Sequence, residues 1–158
     1  MPTATPTSAP GTAERDPEAI SGTSAMLISA LVIPGRPEHV QAARAFTGLV
    51  LGVHARDDGG ISSLLVSELV TNSVQHSDSG KLGGTVTITV AVTPAEILIE
   101  VIDNGGAGEP APRETSDAGN AEDGRGLYLV KELSSAWGHF AADGRLTTWF
   151  ELKTGQPS

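Results

Sequence analysis

The sequence predicts an α+β two-layer sandwich, a mixed sheet with about three helices on one of its faces. Three observations carry that prediction. Apolar residues recur at helical spacing in three stretches and alternate or run together in five others, in the order β-α-α-β-β-long loop-α-β-β. Strands therefore outnumber crossovers, which favours helices layered on one sheet face. The interior must also be aliphatic, because hydrophobic residues make up 39% of the 158 residues and aromatics only 4%. A chain of this length suits one domain and buries roughly two-thirds of its unfolded surface, enough for a core without staples.

Each element has its own signal. Residues 1–23 hold four of the ten prolines and almost nothing apolar, which reads as a disordered tail. The folded domain is expected over residues 24–154, with a short tail at 155–158. Met26–Ile33 reads as a strand, stopped by Pro34-Gly35. Pro37 suits the first turn of a helix running to about Val53, with Val40, Ala43, Phe46, Val50 and Leu51 at helical spacing. Asp57-Asp58-Gly59-Gly60 supplies capping candidates for a second helix, about Ile61 to Gln75. Thr85–Thr93 and Ile97–Ile102 are strands, close enough across Pro94-Ala95-Glu96 to form a hairpin. Residues 103–123, rich in Asp, Glu, Gly and Pro, show no periodicity and read as a lid. Gly124–Ala136 is a third helix. Trp137–Ala142 and Leu146–Leu152 form a closing hairpin around Asp143-Gly144, with Trp137 and Trp149 in the core.

Composition excludes several classes. The formal charge of -9 argues against a protein whose partner is a nucleic-acid backbone. Cys is absent, which removes disulfides, thiol catalysis and Cys-ligated zinc. No apolar run is long enough to cross a bilayer, and the first residues lack the basic start of a signal peptide, so a cytoplasmic protein is expected. There is no Walker-type loop and no G-x-G-x-x-G. His39, His54, His76 and His139 are scattered without metal-ligand spacing, and no Ser sits in a nucleophile elbow.

Three stretches carry chemistry. On a wheel of about 100° per residue with Ile61 at zero, Glu68 falls at about 340°, Asn72 at about 20°, Gln75 at about 320° and His76 at about 60°. A carboxylate, an amide and an imidazole then share the apolar face with Leu64, Leu65 and Leu69. An unpaired buried carboxylate is costly, so this end of the helix borders a polar cavity or else the helix is rolled by a residue. Asp103-Asn104-Gly105-Gly106 follows a strand directly. Its Asp sits where sheet folds place ligand groups, and its glycines allow a close backbone approach, although the same residues make an ordinary turn. Gly124-Arg125-Gly126-Leu127 opens a helix, whose free N–H groups and dipole attract anions.

In that order the three stretches resemble the boxes of the GHKL ATPases. Glu68-Leu69-Val70-Thr71-Asn72-Ser73-Val74-Gln75-His76 resembles the N box, Asp103-Asn104-Gly105-Gly106 the first glycine box, and Gly124-Arg125-Gly126-Leu127 the second. The resemblance is nearest to the anti-sigma-factor serine kinase branch, with its E-L-V-T-N-A-V-x-H, its G-R-G-L-x-L-V and an Ala-Trp-Gly like Ala136-Trp137-Gly138. Ala107 departs from that pattern, standing where the first glycine box usually has a further Gly. The likeness spans roughly residues 25–153.

The resemblance implies a Bergerat sandwich that binds ATP or ADP with Mg²⁺. It implies that Asp103 accepts from the adenine amino group with Gly105 close to the base. Asn72 would hold Mg²⁺, and His76 would line the cofactor site. Gly124, Arg125, Gly126 and Leu127 would meet the phosphates, and Thr148 would lie near the adenine. Glu68 would be the catalytic base toward a serine or threonine of a partner. The implied partners are a sigma factor and an anti-anti-sigma protein of the STAS type, with no direct nucleic-acid or membrane contact and a homodimer possible. The alternative is a nucleotide-responsive binding module that transfers no phosphoryl group.

Overall fold

A computed structural model of the chain describes residues 27–54, 58, 60–106 and 125–153. The expected tails, Ala107 and the rest of the lid to Gly124 lie outside them.

The alternating runs form five strands: β1 (Leu27–Pro34), β2 (Thr85–Val92), β3 (Glu96–Asp103), β4 (Ala136–Ala142) and β5 (Arg145–Lys153). They make one sheet in the order β1-β2-β3-β5-β4. Every described pairing is antiparallel, which corrects the expected mixed sheet. The reason lies in the connections. Helices α1 (Val40–Val53) and α2 (Ile61–His76) both fall between β1 and β2, so the chain goes down and comes back before β2 starts. Strands β3 and β4, with α3 (Arg125–Leu133) before β4, run the same way, but β5 inserts between them, antiparallel to both.

Local chemistry sets the turns. A 3₁₀ turn at Pro37–His39 leads into α1. Asp58 caps α2, its Oδ1 accepting from Gly60 N–H at 3.0 Å and its Oδ2 from Ser62 N–H at 2.8 Å. Thr93 and Glu96 exchange bonds across the β2–β3 hairpin, Thr93 N–H donating to the Glu96 carbonyl at 2.9 Å and Glu96 N–H to Thr93 Oγ1 at 3.0 Å. Asp143 and Gly144 both take left-handed conformations, φ 53° and 74°, which is the two-residue turn that matches the twist of a hairpin.

The helices cover one sheet face. Val86, Ile88, Val90, Ile97, Ile99, Val101 and Phe150 from that face pack with Leu65, Val66, Val70 and Val130, all buried. Fully burying such a side chain contributes about 1.5–3 kcal/mol, so this layer dominates the stability. Trp137 joins it. Trp149 lies on the opposite face with Ala91, Leu98 and Ala136. There the indole crosses Gly138, where a Cβ would stand 2.8 Å from the ring. The glycine of Ala136-Trp137-Gly138 is thus a packing requirement.

Candidate functional site

Helix α2 is rolled relative to the simple wheel. Its buried residues are Ser62, Leu65, Val66, Leu69, Val70 and Ser73. On the same wheel these centre at about 110°, roughly one residue from the expected face. Leu64 is 38% exposed, and Gln75 and His76 are exposed at the helix end. Glu68 and Asn72 are partly buried on the flank that meets α3. A Cβ on Gly126 would stand 3.0 Å from Asn72 Nδ2 and 3.0 Å from Glu68 Cβ. The structure therefore brings the N-box carboxylate and amide against the start of α3, with Leu127 buried in the main core beside them.

Asp103 closes the other side. It ends β3 on the helix-covered face and is 6% exposed. Its Oδ1 accepts from Gly105 N–H at 2.7 Å and its Oδ2 from the Ser73 hydroxyl at 3.0 Å. The backbone N–H of Leu146, its partner on β5, donates as well. Burial pushes the carboxyl above the ordinary carboxylate value. The donors from Gly105, Ser73 and Leu146 pull the other way, and the charge of Asp78 adds a small upward push. Gly105 has φ 74°, and a Cβ on it would stand 2.3 Å from the Gly144 carbonyl oxygen, so the loop after β3 rests on the β4–β5 turn. Thr148 is buried on β5 opposite Val101, one pleat step from Asp103 on the same face.

A polar knot holds this loop in place. Ser79 is fully buried; its hydroxyl donates to the Thr85 carbonyl at 2.7 Å and accepts from Asn104 N–H at 2.8 Å. Asn104 Oδ1 accepts from Thr85 N–H at 2.8 Å, and Asp78 N–H donates to the Gly105 carbonyl at 2.7 Å. The turn after α2 is thereby tied to the loop after β3.

The predicted residues separate as follows. Glu68, Asn72, Gly126 and Leu127 gather where α2 meets α3, while Asp103, Gly105 and Thr148 gather at the sheet end. Ser73, which the sequence reading passed over, joins α2 to Asp103. Its signal was a hydroxyl on the stripe that holds Val66 and Val70, visible only once the roll of the helix is known. His76 stands apart from both groups in exposure. Gly124 and the Arg125 side chain lie outside the described residues, although the backbone of Arg125 starts α3.

The donor set can be tested for fit to a nucleotide and Mg²⁺. A carboxylate offers about four acceptor positions, and three described donors leave Asp103 one more for an amino group. Among the described residues no three His, Cys, Asp or Glu gather as a metal cluster. Mg²⁺ needs no such cluster, since it is commonly held by one or two protein oxygens together with phosphates and water, and the Asn72 amide is a hard oxygen donor of that kind. The residues fit.

A sheet covered on one face by three helices, with a carboxylate and an amide on one helix facing a glycine-opened helix, defines a nucleotide-binding sandwich. A family model described as "Histidine kinase-like ATPase domain" matches residues 33–149, and the chain belongs to that family. Among solved structures, the RsbU and RsbW domains of Rv1364c from Mycobacterium tuberculosis are similar, with a TM-score of 0.56 and 21% identity. That likeness covers 82% of this chain and 34% of the other, and at this identity it is one of fold. This chain thus spans about a third of the length of the protein it matches. A search of curated proteins finds no match. Among the described residues no helix is long and apolar enough to cross a membrane.

Proposed function

We propose that the chain is an ATP-dependent regulator of the anti-sigma-factor type, which phosphorylates a serine or threonine of an anti-anti-sigma partner. The observation that carries this reading is the close approach of Gly126 to Glu68 and Asn72, beside the buried Asp103. Asp103 accepts from the adenine amino group, with Gly105 and Thr148 beside the base. Asn72 holds Mg²⁺, His76 lines the outer rim, and Gly124, Arg125, Gly126 and Leu127 meet the phosphates. When bound, the metal neutralises phosphate charge and orients the transferable group.

Glu68 takes the proton from the partner's hydroxyl as that oxygen attacks the γ-phosphorus and ADP leaves. A base of this kind typically contributes about 10²–10⁴-fold. The partners are a STAS-type protein and a sigma factor, the setting is cytoplasmic, and two copies associate. The motif order and the absence of any basic composition support this reading over a nucleic-acid binder.

Labelled ATP with Mg²⁺ and STAS-type proteins tests it. Wild type transfers label to a partner, while Glu68→Gln binds ATP equally and transfers about 10²–10⁴-fold more slowly. Binding of ATP without transfer to any partner supports the non-catalytic, nucleotide-responsive reading instead. Absence of ATP binding at millimolar concentration removes both.

A further inference from the structure

We infer that Ser73 is a positioning residue for base recognition: its hydroxyl fixes the Asp103 carboxylate so that the site selects a purine bearing a 6-amino group over one bearing a 6-oxo group. The inference rests on the nucleotide reading of the site and goes one residue beyond it.

Asp103 and Ser73 are 6% and 7% exposed, so water does little to orient the carboxylate. Its two oxygens are held from different elements. Oδ1 is held by Gly105 N–H at 2.7 Å, within its own loop, and Oδ2 by the Ser73 hydroxyl at 3.0 Å, from α2. A carboxylate pinned at both oxygens has its plane fixed. The donors from Gly105 and Leu146 are backbone groups, present whatever the side chains are. Among the described residues Ser73 supplies the side-chain donor, and it is therefore the part of the arrangement that sequence can vary. In the motif quoted for the N box, Ala stands at this position.

An ionised carboxylate only accepts hydrogen bonds. A 6-amino group satisfies it. A 6-oxo group places acceptor against acceptor and leaves a buried polar atom unpaired, which is how a polar site rejects an analogue lacking the hydrogen bond. Loss of the Ser73 hydroxyl removes the side-chain donor from Oδ2 and leaves the carboxylate to the backbone donors of Gly105 and Leu146, and the penalty against 6-oxo falls as its plane loosens. Ser73 also neighbours Asn72 on α2, so the same short stretch of helix carries the metal-side amide and the base-side donor.

The test compares binding of ATP and inosine triphosphate, in the presence of Mg²⁺, to the full chain and to Ser73→Ala and Ser73→Thr, with thermal melts of each. Wild type prefers ATP. Ser73→Ala lowers that preference by about tenfold, the value of one hydrogen bond to a charged group, and Ser73→Thr restores it. Where the added methyl of Thr lowers the melting temperature, the Ala result stands alone, because only a change in the ratio counts. A merely structural role lowers both affinities in parallel, and an unchanged ratio in Ser73→Ala overturns the inference. Equal binding of the two nucleotides by wild type overturns it while leaving the nucleotide reading intact. Binding of neither overturns that reading and the inference together.

Discussion

Gly126 lies against Asn72 so closely that a Cβ added to it would stand 3.0 Å from the Asn72 amide nitrogen. The same Cβ would stand 3.0 Å from Glu68 Cβ. The amide can swing aside, but Glu68 Cβ is fixed to the backbone of α2, so the two helices must part. For Gly126→Ala, helix propensity gains about 1 kcal/mol while overpacking costs about 1–3 kcal/mol. The expected net loss of stability is at most about 2 kcal/mol, roughly 4–8 °C in melting temperature for a domain of this size. Nucleotide affinity falls by more than tenfold, because the displaced groups are the ones proposed to meet metal and phosphate. Calorimetric titration alongside a thermal melt checks this. Retained affinity in a folded variant would show that the α2–α3 approach is not part of the site.

Ser79→Ala tests the knot under the first glycine box. The change leaves Asn104 N–H and the Thr85 carbonyl without their buried partner. Each orphaned group costs about 1–3 kcal/mol, so a loss of about 2–6 kcal/mol is expected from a total that is about 5–15 kcal/mol in ordinary domains. Chemical denaturation measures it. A loss below about 1 kcal/mol would mean that other groups take over these bonds.

Much of this was legible in the sequence. Period-two alternation marks β2, a short apolar run marks β3, and Asp143-Gly144 marks the last turn. The N-box face was not legible from periodicity alone. Helix α2 touches α1, α3, β2 and β3, so it carries apolar residues around most of its circumference, and Leu64 and Val70 point to different sides of the wheel. Two buried hydroxyls, Ser62 and Ser73, hide the true core stripe further. The wheel singles out Glu68 and Asn72 as polar groups on an apolar face, and the motif gives them their roles. The structure then moved them from the centre of an apolar face to its flank. The pairing of the sheet was hidden for another reason: strand direction depends on counting helices between strands, and the insertion of β5 between β3 and β4 leaves no mark on either strand.

Gly105 and Gly144 have the same φ of 74° but different surroundings, which makes them a matched pair. Gly144 has open space where a Cβ would go, so Gly144→Ala costs only the left-handed penalty, about 1–2 kcal/mol. At Gly105 the Cβ would stand 2.3 Å from the Gly144 carbonyl oxygen, a backbone atom that cannot rotate away. The left-handed strain is common to both, so Gly105→Ala destabilises by about 1–3 kcal/mol more than Gly144→Ala, the overpacking alone. It also removes nucleotide binding by shifting the N–H that holds Asp103. Parallel denaturant melts of the two variants decide it, and equal losses would overturn the assignment of the clash.

Asp103→Asn separates stability from function. Burial raises the folded-state carboxyl above its ordinary value of 3.8, so the folded chain binds more protons than the unfolded chain across the interval between the two values. Stability contributed by this group therefore falls as pH rises through that interval, and the ionised carboxylate weakens the fold at neutral pH. Asn keeps the shape, its one oxygen accepting from the backbone donors of Gly105 and Leu146 and its nitrogen donating to the Ser73 hydroxyl, without the cost of a buried charge. At pH 7 to 8, roughly three or more units above the ordinary value, the Asn variant melts higher than wild type. The gap closes as pH drops and the wild-type carboxyl takes its proton. ATP binding moves the opposite way, since Asn turns an acceptor-only group into one that presents a donor to the adenine amino group. Melting curves of both proteins at several pH values, taken as differences so that the other carboxylates cancel, give the result. A variant that melts lower at neutral pH would place the Asp103 charge among the groups that stabilise the fold, and a variant that still binds ATP as wild type would remove Asp103 from the base site.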